Sequence, residues 1–209
     1  MIIRSLICAT ALTVASVAAA ACGGTTAQPA AENAAAPASA PAPAAGGATV
    51  RGDLLADWRE QKDMMLKAAD AMPEDKFGYK STPAQRSYGE QILHVAGANV
   101  ELLQMLGAKA KLPFDVVATD MATFGLKMTD KAAVLKWLSD SFDYGAAVMK
   151  ELGPSSMTEV VQGPRWIGQA TRAKMIWYTM GHTQDIYGQM AVYLRLNGIV
   201  PPASRRGGI

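Results

Sequence analysis

The chain has 209 residues, 20 Lys and Arg against 18 Asp and Glu, a formal charge of +2, and two cysteines, Cys8 and Cys22. Its densest basic run, Arg205–Arg206, lies in a terminal tail, so the concentrated footprint of a nucleic-acid binder is missing. Both cysteines fall in the first 22 residues, which leaves everything downstream without a disulfide, a thiolate nucleophile or a cysteine-based metal site.

Residues 1–21 read as a signal peptide. Arg4 is the positive start, Leu6–Val17 the short apolar core, and Ala18–Ala21 the small residues that a signal peptidase requires. The apolar run is shorter than the ~20 residues of a membrane span. The segment Ala19-Ala20-Ala21-Cys22-Gly23 resembles a bacterial lipobox, with Ala19 where leucine is usual. On that reading Cys22 is lipidated and becomes the mature N-terminus. The alternative is ordinary cleavage within the alanine run, which yields a soluble periplasmic protein.

Residues 22–49 form an Ala/Pro-rich tether containing Pro29, Pro37, Pro41 and Pro43, with Glu32 its only charge. Such a segment lacks the large apolar side chains that offset ordering entropy and is expected to be disordered. The folded part is expected over 50–202, the size of one ordinary domain, with 203–209 as a tail.

Four segments carry helical spacing. Arg51–Met72 has Leu54, Leu55, Trp58, Met65, Leu66 and Ala69 as an apolar stripe, and Pro73 ends it. Tyr88–Leu106 opens on Ser87 and Glu90, a Ser-x-x-Glu capping box, and stops at Gly107. Its stripe is Ile92, Val95, Leu102, Leu103 and Leu106; Asn99, the polar member, is expected at the stripe's edge, in reach of water. Asp130–Leu152 has Ala133, Val134, Trp137, Leu138, Phe142 and Val148 as its apolar positions, before Gly153-Pro154. Arg172–Asn197, rich in Met and aromatic residues, ends at Gly198. Only Pro113–Ala122 and Met157–Val161 have any strand character. Four amphipathic helices predict an all-α, up-down-type four-helix bundle. The connections 73–86 and 108–128 are long enough to be functional or to cover the bundle.

The mature chain holds two histidines, His94 in the second helix and His182 in the fourth. Gly97 and Ala98 leave room beside the first imidazole, and His182 shares a stripe with Ile186, Gln189 and Tyr193. No Gly-x-Ser-x-Gly elbow and no phosphate-binding glycine loop is present in the expected domain. The methionines Met64, Met65, Met175, Met180 and Met190 read as core filler. Trp166, Trp177 and Tyr178 fit either a pocket lining or a bundle end.

Two segments carry a family resemblance. Met72–Gly97, MPEDKFGYKSTPAQRSYGEQILHVAG, and Gly181–Ser204, GHTQDIYGQMAVYLRLNGIVPPAS, resemble the DinB-like (YfiT-like) proteins. The resemblance implies a four-helix bundle, often a homodimer. It also implies a divalent metal, nickel or zinc, held by one histidine of the second helix and an i, i+4 pair of the fourth. Some members are metal-dependent thiol transferases or hydrolases, and many have no known activity. His94 and His182 match two of the ligands, whereas Ile186 stands where the third would be. Asp185 is the substitute donor, because a two-histidine, one-carboxylate set is chemically sound. Three functions follow: a degenerate, non-catalytic bundle that binds a metal or small ligand outside the cytoplasm; a metal-dependent enzyme using His94, His182 and Asp185; or a structural envelope protein. The expected partners are a small molecule, a second copy and, through Cys22, a membrane, with no nucleic acid.

Overall fold

The computed structural model describes residues 49–205. The signal segment, Cys22 and nearly all of the tether lie outside the described residues, as does the end of the tail.

Each helix begins where a side chain can accept from its unpaired amides. The first, α1 (Val50–Ala71), starts after Thr49, whose hydroxyl accepts from Gly52 N. The second, α2 (Tyr88–Gln104), carries the capping box: Glu90 N donates to Ser87 Oγ, and Ser87 N donates to Glu90 Oε2 at 2.6 Å. That backbone bond, more than any other cause, holds the Glu90 carboxyl below its ordinary range. Asp130 caps α3 (Lys131–Glu151) and Thr171 caps α4 (Arg172–Leu196). All four expected helices are present, with ends within two residues of those expected.

The helices form a closed ring in which α1 and α2 each touch both α3 and α4. Three contacts fix their directions. Lys131, at the start of α3, pairs with Asp70 near the end of α1 at 2.9 Å. Arg172, at the start of α4, donates to the Leu106 carbonyl just past α2. Tyr193, near the end of α4, donates to the Arg86 carbonyl just before α2. So α1 opposes α3, and α2 opposes α4. Asn99 faces Ser141 at the middle of α2 and α3, and Lys109 N, beyond α2, reaches Glu151 at the end of α3. The second and third helices therefore run parallel, and residues 105–130 must travel the length of the bundle to join them, one of the long crossovers that four-helix folds allow.

The crossover explains the burial of α2. Every residue from Gln91 to Val100 is buried, although a helix in a four-membered ring normally shows one face to water. The descending chain covers that face at Gly97, where an added Cβ would overlap Phe124, and at Gly89, where it would overlap Met128. A larger side chain at Gly97 meets the root of Phe124 and would lift the crossover, whereas at Gly89 the flexible Met128 side chain could swing aside.

The core runs from Trp58, Met65 and Met72 of the α1 region through Ile92 and Leu103 to Phe142 and Met190, all fully buried. Buried polar groups on the aromatics are satisfied: Trp58 Nε1 donates to the Phe142 carbonyl at 2.8 Å and the Tyr88 hydroxyl to the Ala68 carbonyl at 2.6 Å. Met65, Met175, Met180 and Met190 are core residues, as read from the sequence.

Two expectations are corrected. Asn99 is fully buried rather than at an edge, and it joins three helices: Nδ2 donates to Ser141 Oγ and Oδ1 accepts from Thr183 Oγ1, both at 3.2 Å. The strand character of 113–122 comes to nothing, because that stretch is part of the crossover. A two-stranded antiparallel hairpin forms instead between Val160–Gln162 and Gln169–Thr171. Trp166, in its turn, and Trp177 are both mostly exposed.

Candidate functional site

His94 sits two turns into α2, and His182 sits in the middle of the antiparallel α4, at the same depth of the bundle. Antiparallel packing brings the rings together. The two Nε2 atoms are 3.0 Å apart and the ring centroids 4.9 Å apart. The sequence placed one histidine on each of two helices, and the fold makes them partners.

The surroundings keep both rings uncharged. Burial is the largest cause; it pushes His94 down to about 4, with further lowering from the Arg86 guanidinium and from His182. The carbonyls of Met121 and Ala122 act the other way but are outweighed. Both already accept hydrogen bonds from Arg86, at 2.8 and 3.1 Å. His182 is also lowered by burial, partly offset by the Asp185 charge. Two neutral imidazoles 3.0 Å apart make one N–H···N hydrogen bond. The ring that donates from Nε2 keeps a bare Nδ1, and its partner keeps a protonated Nδ1. Both Nδ1 atoms are buried and have no hydrogen-bond partner among the described residues.

Phe124 closes the site. Its ring packs on His94, with centroids 5.5 Å apart, and only 3 % of the residue is exposed. Its φ of 56° is the only positive value of a non-glycine residue among those described. The left-handed conformation is costly for a side chain of this size and persists only where neighbours enforce it. Here Asp120 enforces it: its carboxylate accepts from the amides of Ala122 and Gly125 and from the hydroxyl of Thr123, and Phe124 N donates to its carbonyl. These bonds hold the Asp120 carboxyl below its usual range. Phe124 and Asp120 carry no local signal as site residues, because their placement depends on the crossover.

A second polar line borders the pair. Gln91 Nε2 donates to Gln189 Oε1 at 2.8 Å, and Gln189 Nε2 donates to Asp185 Oδ2 at 3.0 Å. Asp185 itself is exposed. Ile186, on the turn after His182, is 3 % exposed and packs in the core.

The fit to a divalent metal can be judged from the donors. Two nitrogens at about 2.1 Å from one ion and at right angles stand ~3.0 Å apart, so the Nε2 pair alone has a feasible bite. Beyond the pair the match fails. No group of three His, Cys, Asp or Glu side chains is placed to hold an ion among the described residues. Metal-bound imidazoles also pass their second N–H to an acceptor; neither Nδ1 has a well-formed hydrogen bond among the described residues, and the carbonyls beside His94, of Met121 and Ala122, are taken up by Arg86. The residues present do not fit a three-ligand metal centre.

The fold resembles that of solved DinB-like proteins. One from Bacillus cereus superposes with a TM-score of 0.61 at 15 % identity, covering 72 % of this chain and 95 % of that one. Another, from Bacillus subtilis, gives 0.53 at 14 % identity, covering 70 % and 92 %. At such identities the likeness speaks for the fold alone. No curated protein sequence matches the chain. Residues 57–190, more than half of the sequence, match the DinB superfamily, and the chain belongs to it.

Proposed function

We propose that this is a degenerate, non-catalytic DinB-superfamily domain that binds a small ligand at the His94–His182 pair. It would be exported by residues 1–21 and held at the cell envelope by the tether, through a lipid on Cys22. The observation that carries the reading is the buried Ile186. An aliphatic side chain cannot donate a lone pair, and this one is 3 % exposed and packed in the core. What remains is a neutral imidazole pair offering one bare nitrogen and one N–H, roofed by Phe124 on a segment that lies over α2. A ligand that pairs with these atoms displaces the roof.

Metal analysis of the purified chain beside Ile186→His tests the reading. The expected result is no stoichiometric nickel or zinc in the wild type after exposure to either ion, and tight uptake of one equivalent in the variant. One tightly held equivalent in the wild type would overturn it. Lipidation is tested separately by mass spectrometry of the membrane fraction with and without Cys22→Ala.

One observation favours a second reading, a metal-dependent hydrolase or thiol transferase: the 3.0 Å separation of the Nε2 atoms suits two adjacent ligands of one ion. That reading requires Asp185 to leave Gln189 and turn inward. It predicts that His94→Ala and His182→Ala each abolish metal uptake in the wild-type background.

A further inference from the structure

The starts of α1 and α4 and the closes of α2 and α3 lie at one end of the bundle. Arg51, at the start of α1, donates to the carbonyls of Lys150 and Leu152 where α3 closes. Arg172, at the start of α4, reaches the Leu106 carbonyl beyond α2 and pairs with Glu159 of the segment that follows α3. The chain preceding Val50 therefore leaves the domain at this end, where Thr49 is exposed.

The same end holds aromatic rings out to water. Among the large apolar residues exposed in the described structure, the aromatic ones are Trp166, 62 % exposed, and Trp177, 66 % exposed. Trp177 stands within the first two turns of α4. Trp166, in the hairpin turn, lies along those turns, because its Nε1 donates to the Tyr178 hydroxyl at 3.1 Å. That turn is firmly built. Gly163 N donates to the Gly168 carbonyl, the amides of Ile167 and Gly168 both donate to the Pro164 carbonyl, and an added Cβ on Gly163 would overlap the sulfur of Met175. Val160, paired with Thr171 at the base of the hairpin, is also exposed. An ordered turn that keeps indoles in water is unfavourable for the isolated domain and points to a surface that takes them up.

Charge says which surface. The stretch from Gly107 to Leu112 holds Lys109 and Lys111 and no acid, and that from Gly163 to Lys174 holds Arg165, Arg172 and Lys174 and no acid. Lys109, Lys111, Arg165 and Lys174 are exposed and form no ion pair among the described residues. Of the acids at this end, Glu159 pairs with Arg172, Glu151 accepts from Lys109 N and Glu101 from Gln104 Nε2, which leaves Asp53. Indoles beside unpaired cations match the headgroup zone of a bilayer that contains anionic lipid, where the rings are buried and the cations meet phosphate.

We propose that the end of the bundle from which the tether departs seats on the surface of a phospholipid bilayer. Trp166, Trp177 and Val160 enter the headgroup zone, and Arg165 and Lys174 meet the phosphates of anionic lipids. The proposal rests on the envelope-anchored reading above: an acyl chain on Cys22 keeps the domain close to the bilayer, so a surface that binds only at millimolar lipid from solution is occupied.

Two measurements test this. The full chain, purified with its lipid, is placed in vesicles of phosphatidylcholine and phosphatidylglycerol whose acyl chains are brominated near the headgroup. Tryptophan emission should be quenched. Trp166→Ser with Trp177→Ser, its fold checked by circular dichroism, should abolish the quenching, because Trp58 is buried in the core. The chain from Gly23 onward, which keeps every described residue and carries no lipid, is then sedimented with the same vesicles at millimolar lipid. It should bind, and high salt should release it. Arg165→Gln with Lys174→Gln should weaken that binding about tenfold or more. Equal quenching in the double tryptophan variant, or equal sedimentation with phosphatidylcholine alone, would overturn the proposal. So would a self-association of the chain that the double tryptophan variant abolishes while no vesicle is bound. The second measurement needs no lipid on Cys22. A chain that binds vesicles yet carries no lipid in the cell counts against the anchor alone, whereas a lipidated chain whose unlipidated form does not bind overturns the surface alone.

Discussion

His94 Nε2 and His182 Nε2 meet at 3.0 Å while the opposite nitrogen of each ring is buried and has no hydrogen-bond partner among the described residues. The pair is thus held by a single hydrogen bond and shielded from protons by burial. The charged groups around it are Arg86, which opposes protonation of both rings, and Asp185, which favours it at His182. Glu90 and Asp120 act on Arg86 in turn.

This makes stability depend on pH with a definite sign. The folded His94 titrates near 4, lowered from 6.5. Between those values the unfolded chain binds the proton and the folded chain does not, so stability rises with pH across that window and is complete above it. The size is on the order of 3 kcal/mol at most, from ~1.4 kcal/mol per unit. Denaturant unfolding from pH 4 to 7 should show the slope, and His94→Gln should flatten it. An unchanged slope in the variant would mean that other groups set the acid limb.

Ile186→His places an imidazole where an aliphatic side chain now fills the core. In the presence of a chelator the variant should unfold below the wild type, by roughly 1–3 kcal/mol for a buried polar group without a partner. Zinc or nickel at a hundred times its dissociation constant should restore about 2.7 kcal/mol. Thermal melts with and without metal read both effects. Melts insensitive to metal would show that the third position does not face the pair.

Gly97→Ala puts a methyl group against Phe124. Since Phe124 is pinned by the Asp120 turn, the crossover must move, at a cost of about 1–3 kcal/mol. Hydrogen exchange should quicken over residues 108–128 and in the turn of α2 that they cover, while α1 and α3 keep their protection. Phe124→Ala should quicken the same region by removing the roof without the clash.

Asn99 ties α2 to α3 and α4, but its partners have second bonds: Ser141 Oγ donates to the Leu138 carbonyl at 2.7 Å, and Thr183 Oγ1 lies 3.1 Å from the Thr179 carbonyl. Asn99→Leu should therefore cost only about 1 kcal/mol, because no hydroxyl loses its last partner. Asn99→Asp should cost several times more at neutral pH, since it buries a charge without a counter-ion. Equal losses in the two variants, measured by denaturant unfolding, would contradict this account of the network.

The sequence determined the helices and the capping box of α2, because those follow from spacing and from side chains that act within a few residues. Ser87 and Glu90 announced their own bonds, and the apolar stripes announced the core. It also identified Ile186 as the departure from a three-histidine set. Only the tertiary structure decided that α2 and α3 run parallel, since direction depends on the path of a connection that has no periodicity to read. That path put Phe124 over His94 and helped to bury Asn99. Each of these is a meeting of residues far apart in the chain, which local pattern cannot encode.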